Sequence, residues 1–201
     1  MAGTDVAIVD GGGANIASLQ FALERIGARG ILTSDAETIR GASHVILPGV
    51  GAARAAMERL DAHDLPDTLR ALTQPVLGIC LGMQLLAAGS EEDDAHCLDI
   101  VPDRAFRLEP GPGAPVPNMG WCRIRKSADD ALLDGIDDGS WFYFVHSYAL
   151  PVSSRTIASA DHRTPFSAVM ASGNFRATQF HPERSAAAGS RLLQNFLEIG
   201  K

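Results

Sequence analysis

The fold of this 201-residue chain is decided by the stretch Val76-Leu-Gly-Ile-Cys80-Leu-Gly-Met-Gln84. Residues 76–79 are typical of a buried strand, and a helix is expected to follow over residues 83–88. Cys80 lies at the turn between them, with Gly78 and Gly82 two positions to either side. Small residues at these positions let a strand and a helix approach closely around a strained nucleophile. The pattern predicts either a reactive cysteine or a buried cysteine in a glycine-rich turn.

Two backbone features would support a nucleophile at this turn. The following helix would aim its N-terminus at the Cys80 sulfur, where the partial positive charge favours a thiolate. The N–H of Leu81 would point towards the place where an oxyanion develops during attack on a carbonyl group. A cysteine nucleophile also needs a general base, and the base needs an orienting acceptor.

His181 is the candidate base among six histidines. It follows an apolar strand, and Pro182 after it favours an extended conformation at His181. Because residues i and i+2 of an extended segment share one side, Glu183 can hold one ring nitrogen while the other faces the thiol. If this segment were the only signal, a strand-terminal histidine with a chance acidic neighbour would be the better interpretation. No histidine has a metal-ligand spacing such as H-E-x-x-H, so no metal site is expected, and four are expected at the surface: His44, His63, His96 and His162.

The first half of the chain alternates short β-branched runs with helical periodicity. Strands are expected at 6–9, 31–33, 44–47 and 76–79, and a long Ala-rich helical region ends near residue 72. This alternation is typical of an α/β fold in which helices flank a parallel sheet, and sites in such sheets form at the carboxyl ends of strands. Pro48-Gly-Val-Gly51 follows one strand and suits a loop that presents backbone N–H groups to an anion, although such turns are usually only turns.

The second half changes from helix–strand alternation to strands in series, expected at 121–125, 141–146, 156–160, 166–171 and 175–180. We expect these strands to be antiparallel additions to the same sheet within a single domain of residues 1–201. The acidic run 91–94 is expected to be a solvated loop. A closing helix carries its apolar face towards the sheet: Leu192, Leu193, Phe196 and Leu197.

Composition excludes several classes of protein. The net charge is −7, from 17 basic and 24 acidic side chains, and no long basic run suggests a nucleic-acid partner. Three cysteines without a C-x-x-C pair indicate neither a disulfide framework nor a zinc ribbon. The start is too acidic for a signal peptide. Proline, glycine and glutamine interrupt the uncharged stretch 71–90, so no membrane span is expected, and we expect a cytoplasmic protein.

Taken together, these segments resemble the class I glutamine amidotransferases. The stretch Gly78-Ile-Cys80-Leu-Gly82-Met-Gln84 is similar to the nucleophile motif of that family, Phe180-His-Pro-Glu183 to its base and orienting acid, and Pro48-Gly-Val-Gly51 to its oxyanion loop. Their order and spacing match as well. The resemblance implies a flavodoxin-like, mostly parallel sheet flanked by helices, with antiparallel strands added in the second half.

Within the family, the chain is most similar to the glutaminase subunits of imidazole glycerol phosphate synthases. Met119-Gly-Trp121, Tyr143-Phe-Val-His-Ser-Tyr148 and the segment around His181 carry this resemblance. It implies that L-glutamine is hydrolysed to glutamate and ammonia, with Cys80 as nucleophile, His181 as proton carrier and Glu183 as its orienting group. Ammonia would pass to a (β/α)₈-barrel cyclase, which makes imidazole glycerol phosphate and an aminoimidazole carboxamide ribotide in histidine biosynthesis. No cofactor is implied.

The resemblance also assigns substrate and partner contacts. The oxyanion and glutamine would lie against Gly49, Val50, Gly51, Leu81, Gln84, Ser147 and Tyr148. The partner would lie near Asn15, Asn118, Met119 and Trp121.

Two stretches depart from the family pattern, and both fall on the expected partner side. Asp10-Gly-Gly12 stands where Asp-Tyr-Gly is usual, and Pro117-Asn-Met-Gly-Trp-Cys122 stands where Pro-His-Met-Gly-Trp-Asn is usual. They keep two alternatives open: a related subunit that supplies ammonia to another synthase, or a catalytically silent binding subunit.

Overall fold

A computed structural model describes residues 4–11 and 16–200 of the chain. The predicted partner residue Asn15 lies outside the described residues. Within those ranges the α-helices are α1 (Ile16–Arg25), α2 (Ala36–Gly41), α3 (Ala53–Ala62), α4 (Leu65–Arg70), α5 (Leu81–Leu85) and α6 (Ala186–Glu198). The strands are β1 (Thr4–Val9), β2 (Ala28–Thr33), β3 (His44–Gly49), β4 (Val76–Cys80), β5 (Ala87–Ser90), β6 (Ala95–His96), β7 (Val101–Arg107), β8 (Asn118–Arg123), β9 (Arg125–Lys126), β10 (Trp141–His146), β11 (Tyr148–Ala149), β12 (Thr156–His162), β13 (Thr164–Ser172) and β14 (Phe175–Thr178).

An eight-stranded sheet forms the centre of the fold, in the order β2-β1-β3-β4-β14-β13-β12-β9. The strands from β2 to β14 run parallel. The strands from β14 to β9 pair antiparallel. The α/β fold and its added antiparallel strands are therefore confirmed. Strand β14 joins the two halves, because it is parallel to β4 on one side and antiparallel to β13 on the other.

Both faces of the parallel half are buried. Val6 and Ile8 of β1 belong to one hydrophobic cluster, while the alternate residues Ala7 and Val9 belong to another. Successive side chains of a strand point to opposite faces, so this division shows that the core continues on both sides of the sheet. The predicted closing helix is present as α6, and its apolar residues are buried in the first cluster.

Two of the five strands predicted in the second half do not join the central sheet, contrary to the expectation that all five would. β8 and β10 form their own two-stranded antiparallel ribbon. Along β10 the side chains alternate between exposed Trp141 and the buried residues Phe142 and Phe144. One face of the ribbon therefore packs on the core through phenylalanines, so the ribbon lies against the fold instead of extending the sheet edge. β5, β6, β7 and β11 form a further four-stranded sheet.

Three local predictions are corrected. The Ala-rich region is two helices, because Asp64 has a positive φ of 53° and a new helix, α4, begins at Leu65 with Pro66 in its first turn. The helix after Cys80 starts at Leu81 and ends at Leu85, and the chain then enters β5. His44 is buried rather than at the surface, since its Nε2 lies 3.0 Å from the carbonyl oxygen of Ile199. None of the helices within the described ranges is long and apolar enough to cross a membrane.

Candidate active site

Cys80 lies at a strained turn between β4 and α5. Its backbone angles are φ 55° and ψ −110°, a combination that L-residues rarely adopt and that is typical of nucleophiles presented by a sharp strand-to-helix turn. The two glycines around it allow the close packing. A Cβ on Gly82 would lie 1.7 Å from the carbonyl oxygen of Leu47, and one on Gly78 would lie 2.9 Å from the carbonyl oxygen of Gly82.

The parallel pairing of β4 with β14 brings His181 to this turn. Thr178 pairs with Ile79, so the chain after β14 leaves the sheet beside Cys80. The backbone N–H of His181 donates to the Tyr143 carbonyl at 3.0 Å. The Ser185 hydroxyl donates to the His181 carbonyl at 2.6 Å. These bonds fix the backbone on which the imidazole is carried.

Glu183 orients the His181 ring. The Nδ1 atom of His181 lies 2.9 Å from Oε1 of Glu183, and both side chains are buried. Within the described residues, Nε2 of His181 and Oε2 of Glu183 have no hydrogen-bond partner. Nε2 is therefore the ring nitrogen left for chemistry, as expected for a base oriented through Nδ1.

The electrostatic surroundings make His181 cationic at neutral pH. Burial disfavours the charged ring, but the sulfur of Cys80 and the carboxylate of Glu183 outweigh burial and raise the pKa of His181 to about 10. The site thus combines a strained cysteine, an adjacent imidazolium and a buried carboxylate.

A cavity of about 280 Å³ opens beside Cys80. Its size suits a ligand as small as an amino acid. Six of the residues predicted to bind the oxyanion or glutamine line it with Cys80, namely Val50, Gly51, Leu81, Gln84, Ser147 and Tyr148. The seventh, Gly49, pairs with Cys80 in the β3–β4 register.

Two glutamines connect the cavity wall to the nucleophile. Nε2 of Gln84 donates to the carbonyl of Tyr148 at 2.9 Å and to Oε1 of Gln179 at 3.1 Å. Nε2 of Gln179 in turn lies 3.8 Å from Sγ of Cys80. The Cys80 thiol also lies 3.7 Å from the carbonyl oxygen of Val145. These contacts hold the sulfur and the pocket wall in a fixed relation.

The predicted site residues do not include four residues of the cavity wall, namely Glu92, Pro117, Val145 and His146. Glu92 was expected in a solvated acidic loop, yet it lines the cavity and its Oε2 accepts the N–H of Ala53 at the start of α3 at 3.0 Å. His146 also lines the cavity. The alternation along β10 could have indicated that His146 points inwards. No local pattern could have indicated Glu92, because a tertiary contact with α3 places it.

The predicted partner residues separate onto two faces of the β8–β10 ribbon. Met119 is 64% exposed and Trp121 is 48% exposed, whereas Asn118 is only 4% exposed. The ring of Trp121 packs edge-on against Tyr143 at 6.1 Å. Because successive residues of a strand point to opposite sides, Asn118 lies under the ribbon and does not share the exposed face.

The described residues contain no group of three or more His, Cys, Asp or Glu side chains placed to hold a metal ion. The thiol of Cys80, the imidazole of His181 and the carboxylate of Glu183 lie together beside a small pocket. That arrangement suits nucleophilic attack on a carboxamide or ester carbon.

Residues 8–199 match the glutamine amidotransferase class-I family. The chain therefore belongs to the class I glutamine amidotransferases, and it is an enzyme of that class. It is 50% identical over 196 residues to the imidazole glycerol phosphate synthase subunit HisH of Xanthomonas axonopodis pv. citri, with 98% of each chain covered. It is 47% identical over 196 residues to the subunit of the same name from Xylella fastidiosa, again with 98% of each chain covered.

A solved structure shares the fold. PurLQS from Thermotoga maritima matches with a TM-score of 0.72 and 15% identity, and the match covers 100% of each chain. At that identity the likeness concerns the fold alone. It agrees with the class I amidotransferase architecture predicted from the sequence, which is confirmed.

Proposed function

We propose that this chain is the glutaminase subunit of an imidazole glycerol phosphate synthase in histidine biosynthesis. The identity of about half of all positions to HisH subunits, over 98% of both chains, supports this assignment. The observation that carries the chemistry is the strained Cys80 beside a protonated His181 that Glu183 orients. Residues 1–201 would act as one amidotransferase domain in the cytoplasm.

In the proposed reaction, Sγ of Cys80 attacks the side-chain amide carbon of L-glutamine. The oxyanion that forms is stabilised by the backbone N–H of Leu81 and by N–H groups of the loop Gly49–Gly51. His181 gives its Nε2 proton to the leaving amide nitrogen, so that ammonia departs and a γ-glutamyl thioester remains. Water then attacks the thioester while His181 takes up the proton, and glutamate leaves with the thiolate regenerated.

The charges and polar groups of the cavity fit the rest of glutamine. Glu92 supplies the one carboxylate on the cavity wall within the described residues, and it would attract the α-ammonium group. The Gln84 side chain and the backbone of Ser147 and Tyr148 offer further hydrogen bonds. No metal or organic cofactor is needed for these steps.

The partner would be a (β/α)₈-barrel cyclase that forms a heterodimer with this chain and receives the ammonia. Met119 and Trp121 supply exposed apolar area for that contact, and aromatic residues of this kind often dominate interface energies. With ammonia and a nucleotide-derived ribulose phosphate, the cyclase would form imidazole glycerol phosphate and the aminoimidazole carboxamide ribotide.

The test is ammonia release from L-glutamine under three conditions: the chain alone, the chain with a cyclase barrel from the same organism, and both with the nucleotide substrate. Low activity that rises steeply only when both are present supports the proposal. Stimulation by a different synthase would identify a related ammonia-supplying subunit instead. No turnover in any condition would identify a silent binding subunit.

A further inference from the structure

A line of hydrogen bonds runs from β8 to the wall of the glutamine cavity. The Cys122 thiol donates to Oδ1 of Asn118 at 3.6 Å. Nδ2 of Asn118 lies 3.0 Å from Nε2 of His146, and Nδ1 of His146 lies 2.9 Å from the carbonyl oxygen of Tyr148. The same carbonyl accepts from Nε2 of Gln84. The line therefore ends on a group that belongs to the cavity wall.

The chemistry of these groups fixes the position of the imidazole proton. The Tyr148 carbonyl can only accept, so Nδ1 of His146 must donate to it. The Asn118 amide nitrogen can only donate, so Nε2 must accept. The Cys122 thiol, as a donor to Oδ1, agrees with that orientation of the amide. His146 is thus a neutral ring with its proton on Nδ1.

The surroundings of His146 oppose a second proton. Its ring packs against Phe166 at 4.9 Å and against Phe144 at 5.6 Å. The pKa of His146 is lowered to about 4, chiefly by burial and to a smaller extent by the charges of His162 and His181, although the hydrogen bond to the Tyr148 carbonyl acts in the opposite direction. His162 and His181 are the titratable groups that act on this ring, together with Cys122 through Asn118.

We propose that Asn118 and His146 are positioning residues for glutamine binding. Asn118 holds His146 with its proton on Nδ1, His146 holds the Tyr148 carbonyl, and that carbonyl fixes the amide of Gln84. Asn118 reaches no part of the cavity wall, so its effect passes through His146 and Tyr148. The identity of the ligand as glutamine rests on the proposed function.

The substitution Asn118→Asp tests the line, because a carboxylate accepts where the amide donated. His146 would then need protons on both nitrogens to keep both bonds. We expect the Kd for L-glutamine, measured by calorimetry in a Cys80→Ala background that prevents turnover, to depend on pH. The Kd should rise about tenfold as His146 loses its second proton, because one buried hydrogen bond is then lost.

Two matched variants keep this test interpretable. Asn118→His offers a ring N–H to Nε2 of His146 in place of the amide N–H. The Kd for L-glutamine should therefore show no such pH dependence in this variant. Cys122→Ala removes only the outermost donor, and it should change the affinity less than threefold. With active Cys80, Asn118→Asp in the complex with the cyclase should raise KM and leave kcat within about twofold.

Long-range ¹H–¹⁵N spectra of the histidine rings give a readout that needs no activity. The His146 signal is assigned by its loss in His146→Gln. We expect a proton on Nδ1 and none on Nε2 at neutral pH in the parent chain, and a doubly protonated ring in Asn118→Asp. A proton on Nε2 of the parent chain would overturn the proposal. An unchanged glutamine affinity in Asn118→Asp across the pH range would overturn it equally.

The same measurements distinguish a failure of the proposed function from a failure of the positioning role. If no variant binds glutamine although His146 keeps its proton on Nδ1, glutamine is not the ligand, and the positioning of a glutamine site is refuted with it. If the parent chain binds and hydrolyses glutamine but the Kd for glutamine is the same in Asn118→Asp, only the positioning role is refuted.

Discussion

Gly49 lies directly opposite Cys80 in the parallel pairing of β3 with β4. The loop that follows Gly49 therefore begins beside the sulfur, and Val50 and Gly51 reach the cavity from there. On the other side of β4, the pairing with β14 brings the His181 segment to the same edge. Three strands thus bring Cys80, the loop after Gly49 and His181 to one place, as expected for carboxyl ends of neighbouring parallel strands.

Replacing Cys80 with alanine should abolish glutamine hydrolysis while leaving the partner able to use ammonium. We expect the glutamine-dependent rate in the complex to fall by about a thousandfold or more, because among the described residues no other cysteine lines the cavity. Synthesis from added ammonium chloride should remain close to that of the parent complex. The control is Cys97→Ala, a buried cysteine outside the cavity. Loss of ammonium-dependent synthesis from an intact Cys80→Ala complex would contradict the assigned division of labour.

His181 should lower the free energy of unfolding of the chain as the pH becomes alkaline. Its pKa rises from the ordinary 6.5 to about 10 in the folded chain. The charged ring therefore stabilises the fold fully below pH 6.5, and this contribution is lost as the pH rises through 10. We expect the free energy of unfolding in urea to fall more steeply between about pH 7 and 10 in the parent chain than in His181→Asn. Equal slopes in the two proteins would show that the imidazole gains no such stabilisation.

A methyl group at Gly82 should disrupt the strained turn at Cys80. Its Cβ would lie 1.7 Å from the carbonyl oxygen of Leu47, which is backbone and cannot move alone. We expect Gly82→Ala to lower the free energy of unfolding by about 3 kcal/mol or more. Gly41→Ala is the matched control, because its Cβ would meet no atom within 4 Å, and it should change stability by no more than about 1 kcal/mol. A stable Gly82→Ala protein would mean that β3 and α5 are farther apart than described.

Trp121 should contribute to partner binding without contributing much to folding. Its side chain is half exposed on the ribbon. In the proposed heterodimer, Trp121→Ala should weaken the Kd for the cyclase by about thirtyfold or more, as for an interface hot spot, and thermal unfolding of the free chain should change little. Val152→Ala, an exposed apolar residue outside the ribbon, should leave the Kd unchanged. Equal Kd values for the Trp121→Ala chain and the parent would place the partner on another face.

The sequence predicts the parts of this protein that depend on local chemistry. The alternation of β-branched runs with helical periodicity in the first half predicts the parallel sheet, and the glycines around Cys80 predict the strained turn. Both predictions follow from side-chain periodicity and backbone sterics. The i to i+2 spacing of His181 and Glu183 predicts their contact. The helix ends were placed less well, since short helices such as α5 are limited by packing and not by their own residues.

Long-range packing decides the features that the sequence left open or misassigned. His44 is buried because the C-terminal segment covers it. Glu92 enters the cavity because α3 offers it a backbone N–H. Asn118 lies under the ribbon because β8 pairs with β10 and turns that face to the core. Each depends on segments far apart in the chain, which no local pattern can register.

The sequence by itself determined the class of this protein, because a cysteine between two glycines, a histidine two residues before a glutamate and their order along the chain are local facts. Only the tertiary structure decided how these groups act together. The neighbouring positions of β3, β4 and β14 bring residues about a hundred positions apart into one buried site. There the sulfur and the carboxylate raise the pKa of the imidazole, and such coupling exists only at contact distance in a medium that water does not screen.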